Sequence, residues 1–293
     1  MSVRLAVISR GNHMHQVIVI ILTVCLCGFA VPRSGWAQDI IEPGSEKVSF
    51  VGGAFLTTFD ANLRIDDPTL GKGTKFNLRD DVGVDRQQTG VWVGAEWRFT
   101  PKQRLGINYT RFTPSATKTL THAIQIGNVV YPAGTALSTE LHMDIVPITY
   151  SYSFIKRDSD EFAGTIGVNW NKMEFNANGV ASLAGSSFAA ATTANANFPL
   201  PLFGVRYRHD FSERWSVNME GAGFVLKVAE GTFDVRGSLW NARVEGEYRF
   251  SRHFAAAAAV EAFSIDINAN KTDWRGDIGY RIWGPQVYLK ARF

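Results

Sequence analysis

From about residue 48 to residue 293 the chain alternates apolar and polar positions in short runs, with period two. The sharpest run sets Trp240, Ala242, Val244, Gly246, Tyr248 and Phe250 against Asn241, Arg243, Glu245, Glu247 and Arg249. Successive side chains of a strand point to opposite faces, so such a run is a strand with one greasy and one wet side. The last run repeats the pattern, with Val287, Leu289, Ala291 and Phe293 opposite Gln286, Tyr288, Lys290 and Arg292. Val91, Val93, Ala95, Trp97 and Phe99 share one face of another. Leu105, Ile107 and Tyr109 do so in the next, followed by Val146, Ile148, Tyr150, Tyr152 and Phe154. Gly164, Ile166, Val168 and Trp170 mark a fifth strand, and Phe203, Val205 and Tyr207 a sixth. A seventh runs from Arg214 to about Lys227 with Ser216, Asn218 and Glu220 on its wet side. The ninth contains Ala255 to Ala259, a helix-favouring run by propensity, and is read as strand from its place between two clear strands. The first, Val48 to Ile65, is apolar on both parities, which leaves its faces open.

The connections have their own pattern. Phe99, Phe154, His209 and Phe250 each end a run just before a short polar turn, and Phe293 ends the last. Longer segments separate the other strand ends. Residues 66–86 are rich in Gly and Asp, with Phe76, Leu78, Val82 and Val84 predicting that this loop folds onto something, such as a barrel mouth. Within 113–138, residues 123–131 read as a hairpin turning on Gly127-Asn128, with arms too short to span a bilayer; it is expected to extend the sheet. Residues 176–197, an uncharged Ala/Gly/Ser/Asn tract, read as a flexible loop, and Asn268 to Asp277 as a last loop. Pro147 predicts a bulge. Ten strands fit this punctuation, with eight or twelve as alternatives. Short turns on one rim and long loops on the other are expected of a closed, all-β, antiparallel transmembrane β-barrel.

Residues 1–37 read as a cleaved secretory signal: Arg4 and Arg10, an apolar run from Val17 to Val31, then Gly35-Trp36-Ala37. The apolar run has 15 residues, short of the roughly 20 that a spanning helix needs. Its removal changes the composition. Both cysteines, Cys25 and Cys27, leave with it, so residues 38–293 hold no disulfide and no thiol nucleophile. Three of the 30 basic residues and none of the 27 acidic ones also leave, so residues 38–293 carry 27 of each. The net charge of +3 belongs to the leader and gives no support to nucleic-acid binding. No later apolar run is long enough for a membrane helix. A membrane location therefore requires backbone pairing between strands.

With its leader, its alternating last strand and its row of aromatic strand ends, the chain resembles the bacterial outer-membrane β-barrel proteins, nearest in size to the small monomeric OmpA-like or OmpW-like kind. The resemblance covers nearly all of residues 45–293. It implies location in the outer membrane, contact with its lipid and lipopolysaccharide, and a monomer. It also implies that Val287, Leu289, Ala291 and Phe293 form the terminal strand signal read by the barrel assembly machinery.

The wet positions predict a charged lumen towards the short-turn rim, made of Glu96, Arg98, Arg104, Arg206, Arg208, Glu220, Arg243, Glu245, Glu247, Arg249, Glu261, Lys290 and Arg292. Such a set either passes small solutes or packs as a plug of ion pairs. A barrel near eight strands is filled by its own side chains, which favours the plug at ten. The expected function is a structural or surface role with at most minor solute passage through a narrow, charge-lined lumen. The alternatives are a gated channel for small solutes or hydrophobic compounds, and a surface hydrolase of the omptin or lipid A-modifying kind. Omptins are ten-stranded barrels whose site pairs two aspartates with an Asp–His pair. The long-loop candidates here are Asp66, Asp67, Asp80, Asp81, Asp85, His122, His142 and Asp144. His142 and Asp144 share parity with lipid-facing Val146, which points them outside. His209 and His253 lie at the opposite rim. No convergent acid/base set emerges, so no catalytic residue and no cofactor are expected. The acidic run Asp80 to Asp85 lacks the spacing of a calcium loop, so no metal is expected.

Overall fold

A computed structural model describes residues 46–67, 69–183, 186–230, 233–270 and 275–293. The expected leader, residues 1–37, lies outside the described residues. In chain order the elements are β1 (Val48–Ile65), β2 (Phe76–Asn77), β3 (Gln87–Thr100), β4 (Gln103–Phe112), β5 (Ser115–Thr119), β6 (Ile124–Ile126), β7 (Val129–Tyr131), β8 (Ala136–Lys156), β9 (Asp160–Leu183), β10 (Ser186–Asp210), β11 (Trp215–Glu230), β12 (Phe233–Arg249), β13 (Phe254–Asn270) and β14 (Arg275–Arg292). All the barrel pairings are antiparallel, and β14 pairs with β1 from Ser49↔Arg292 to Ile65↔Gly276, which closes the sheet. The twelve strands of this sheet include the short β2 and β5; without these two, ten strands encircle the barrel. No helix among the described residues is long and apolar enough to cross a membrane. A closed barrel is the other way to satisfy every backbone group in lipid.

The outer surface is apolar over a belt. Val91, Phe154, Phe203, Val244 and Leu289 are each more than half exposed. Aromatic side chains crowd the short-turn rim in contacting pairs, including Tyr152 with Phe154, Trp215 with Tyr248 and His253 with Phe293. Trp170, Trp240 and Trp283, all exposed, lie nine or ten residues along their strands from that rim. At about 2.5 Å of height per residue, allowing for strand tilt, the two rows stand about 25 Å apart, the height of an outer-membrane apolar band. The structure is therefore a transmembrane barrel of the outer-membrane class, with β8, β9 and β10 continuing well above the band.

Four expectations change. Residues 176–197 are mostly strand: β9 and β10 pair continuously from Ser186↔Leu183 to His209↔Asp160, and only residues 184–185 lie outside the description. The tract carries little side-chain signal because its backbone ladder does the ordering, with small residues on both faces. Asn268 to Asp277 is likewise mostly paired strand, out to Asn270↔Arg275. The β6–β7 hairpin forms as read but is a separate two-stranded sheet, with Ile124, Ile126 and Tyr131 fully buried, so it packs inward and does not extend the barrel sheet. Pro147 makes no bulge. The β4–β8 ladder omits the rungs between Ile107↔Ile148 and Thr110↔Ile145 without changing register. A proline facing a neighbour without its donor removes rungs there and leaves the strand straight. The register shift in β8 falls instead between Ser153 and Ile155.

Candidate functional site: the barrel interior

The lumen has two chemically distinct halves. Towards the short turns it holds the charge cluster read from the wet positions. Arg98 donates to both carboxylate oxygens of Glu161 at 3.0 and 3.1 Å, and Arg104 donates to the same group at 2.9 Å. Arg206 joins Glu96 at 2.5 Å and Glu220 at 3.1 Å. Arg208 reaches Asp210 at 3.1 Å and Glu46 at 3.4 Å. Glu247, fully buried, is ringed by Arg249 at 3.0 Å, Lys290 at 3.2 Å and Arg292 at 3.6 Å. Arg243 joins Glu245 at 2.8 Å and packs against the Trp92 and Tyr288 rings at 4.8 and 5.4 Å, the two rings meeting edge to face at 4.6 Å. Glu261 takes hydrogen bonds from Asn241 and Gln286.

The structure thus brings together every lumen residue expected. It adds three acids that alternation did not mark: Glu46, Glu161 and Asp210. They sit at or before strand ends, where period two gives no reading. With them the set has eight cations (Arg98, Arg104, Arg206, Arg208, Arg243, Arg249, Lys290, Arg292) and eight acids (Glu46, Glu96, Glu161, Asp210, Glu220, Glu245, Glu247, Glu261). A buried charge is tolerated only when paired, and here the totals match.

The half towards the long loops is an apolar core, which sequence patterning did not reveal. The open question of β1 is settled by it. Phe55, Phe59, Ala61, Leu63 and Ile65 all face inward and are buried, with Phe50 and Leu56 outside. They pack with Phe112, Leu141, Met143, Phe175, Ile265, Ile278 and Tyr280 from the wall. Phe76, Leu78, Val82 and Val84 of segment 66–86 fill the mouth together with Ile124 and Ile126, so the loop does fold into the barrel as its apolar residues predicted. Tyr131 anchors the hairpin by a 2.8 Å hydrogen bond to Thr192 and by donating to the Ala177 carbonyl at 3.2 Å. Gly83 and Gly127 hold positive φ at the tight turns of the two inserted segments.

Between the halves lies a cavity of about 190 Å³ to which all ten barrel strands contribute. Its walls change character with height: Phe55, Phe112, Leu202, Phe263 and Ile282 above, and Glu96, Arg206, Glu220, Glu245 and Lys290 below.

The acids and histidines of the long-loop side stand apart from this space. Asp144 accepts from Arg111 at 2.7 Å and from Tyr109 at 2.8 Å on the outer face, as its parity requires. His142 faces Glu140 at 3.1 Å, also outside. Asp66 pairs with Arg64 at 2.9 Å, and Asp67 caps the Thr69 and Leu70 amides. Asp81 accepts from the Asn77 amide at 2.7 Å and lies 3.7 Å from the His122 ring nitrogen. Asp80 is exposed beside Arg79. Among the described residues no group of three or more His, Cys, Asp or Glu could hold a metal ion. At the opposite rim His209 meets Asp160 at 2.9 Å, and His253 Nδ1 donates to the Arg292 carbonyl at 3.0 Å.

No protein-family model matches the sequence, and no curated protein matches it. The fold is similar to the outer membrane protease OmpT of Escherichia coli, with a TM-score of 0.55 at 9% identity over 90% of this chain and 100% of that one. Two looser likenesses are to the toluene transporter TodX of Pseudomonas putida (TM-score 0.34, 9% identity, 87% of this chain and 93% of that one) and to the outer membrane protein OprG of Pseudomonas aeruginosa (TM-score 0.33, 10% identity, 85% and 97%). The first shows the shared fold; the other two carry no weight beyond it. The fold is that of bacterial outer-membrane β-barrels.

Proposed function

We propose that this protein is a closed, monomeric outer-membrane barrel whose role is structural and at the cell surface, with no standing pore. One observation carries the reading: the lumen is shut twice, by unlike means. A self-neutralised ion-pair lattice closes the short-turn half, and an apolar core with an inserted loop closes the other. A solute path would have to break both. The long β8–β9–β10 extension is then the part presented to the outside, in contact with lipopolysaccharide around its base. Val287, Leu289, Ala291 and Phe293, with Val287, Leu289 and Phe293 exposed on the lipid face, are the segment offered to the barrel assembly machinery.

Reconstitution into planar bilayers tests this. The mature protein should give no steady single-channel steps; regular steps at low voltage would overturn the reading in favour of a gated channel. The fold shared with a protease keeps a hydrolytic reading in view, but Asp66, Asp67, Asp81 and Asp144 are each engaged by a structural partner. Asp80→Ala, Asp81→Ala and His142→Ala should leave peptide and lipid processing by intact cells unchanged.

A further inference from the structure

The barrel wall has an open seam. β9 and β10 share 24 rungs and β11 and β12 share 16, whereas β10 and β11 share only eight, from Phe203↔Gly223 down to Asp210↔Ser216. Above Phe203 the described part of β10 keeps its β9 partner and has no rung to β11. Beyond Gly223, β11 keeps only β12.

The sequence provides for this opening. Pro199 and Pro201 lie just past the last rung, and the β9 ladder runs through both, at Trp170 and Val168. In an antiparallel ladder alternate residues direct both backbone polar groups to one neighbour and then to the other. A proline that leaves the β9 ladder intact therefore aims its missing donor at β11. The two prolines forbid zipping there and also remove two N–H groups that would otherwise face lipid unpaired.

The seam leads inward. Phe198, Leu200 and Leu202 on one edge and Ala222 and Phe224 on the other face the interior and pack on its apolar core. The last rung lies seven residues from the short-turn rim on β10 and eight on β11, below the tryptophan row at nine or ten. The foot of the seam is therefore within the apolar band, on its outer-leaflet side. The cavity reaches this foot: Leu202, Val205 and Ala222 line it, and Val205 otherwise faces lipid. Its upper wall is apolar, and the charges of its floor are spent on one another.

We propose that the β10–β11 seam is a lateral portal through which an alkyl chain from the outer leaflet enters the mid-barrel cavity. The occupant is an uncharged chain, because the edges at the foot of the portal, Phe198 to Leu202 and Ala222 to Val225, are apolar and the floor has no surplus charge to hold an ionic head. This goes beyond the closed-barrel reading. A lumen shut along its axis is still open sideways.

Photolabelling tests it with the mature barrel in lipid vesicles, using two diazirine probes. One carries the diazirine on a phosphatidylcholine acyl chain, and the other is a free long-chain alcohol bearing the same group. Mass spectrometry then maps the labelled residues. Label on Leu202, Ala222 or Phe224 is expected, and the probe that delivers it identifies whether the chain arrives tethered to a lipid or free. Label confined to Phe203 and Val225 would overturn the portal. Pro199→Val/Pro201→Val, which restores the donors, and Ala222→Phe, which fills the entrance, should each abolish interior labelling while keeping the heat-dependent gel shift of a folded barrel. Interior labelling that persists in both folded variants would overturn the route as well. Because bilayer conductance is measured separately, a pore along the axis and a failed portal give different results.

Discussion

At the scale of single residues, Glu247 and Arg292 are equally buried and are expected to behave differently on mutation. Glu247 neutralises Arg249, Lys290 and Arg292 within 3.6 Å. Glu247→Gln leaves those cations facing one another without their shared acid. Breaking a buried pair from one side costs about 3–5 kcal/mol, so its urea midpoint in detergent micelles should fall sharply. All three guanidinium nitrogens of Arg292 are buried without a hydrogen-bond partner, and its ion pair is long. Its desolvation is poorly repaid, so Arg292→Met should be neutral or stabilising in the same titration. A large loss from Arg292→Met would mean that its charge does more than the geometry implies. Arg111→Ala, at an exposed pair with Asp144, should leave the midpoint where it is. What alternation makes legible at this scale is direction. Lys290 and Arg292 read as inward and are. Both meet Glu247 on the charged face of β12; which acids Arg98 and Arg208 meet was not legible, because Glu161 and Glu46 reach them by closure between segments far apart in sequence.

At the scale of elements, strands are legible where water or charge lies on one side and lipid on the other, as in β12. They are illegible where both sides are apolar. β1 is the example: its outward residues meet lipid and its inward ones meet the loop plug, so both parities are greasy. The strand tract 176–197 fails for the opposite reason, since small neutral residues on both faces leave no contrast to read. Segment 66–86 was legible because four apolar residues in an otherwise polar loop require a partner surface. Its attachment should be separable from the barrel. Leu78 is almost fully buried in the mouth. Leu78→Asp would put an unpaired charge there, at a cost of several kcal/mol that release of the loop avoids. The variant should keep its gel shift while the loop becomes sensitive to added protease on intact cells. Protease resistance equal to the parent's would show that the loop is held by something other than its apolar contacts.

At the scale of the molecule, two plugs in series make a specific prediction about conductance. Ion flow along the axis is limited by the more resistive of two barriers, so opening one leaves the other in control. Removing residues 69–84 together with the hairpin at 123–131 should empty the mouth without admitting ions, because the balanced lattice below still spans the lumen with Arg249, Glu247 and Arg292 fully buried. Loosening the lattice alone, with Glu96→Ala and Glu220→Ala around Arg206, should also be silent, because Phe76, Leu78, Val82, Val84 and the hairpin's Ile124 and Ile126 still seal the upper half. Only the combination should give steady steps in a planar bilayer. Those steps should select anions, because removing two acids leaves eight cations against six. Steps from the loop deletion alone would show that the lattice conducts, and the upper core would then be a gate and not one of two seals. The apolar half is what the charge pattern left out, and it makes the single and combined variants differ.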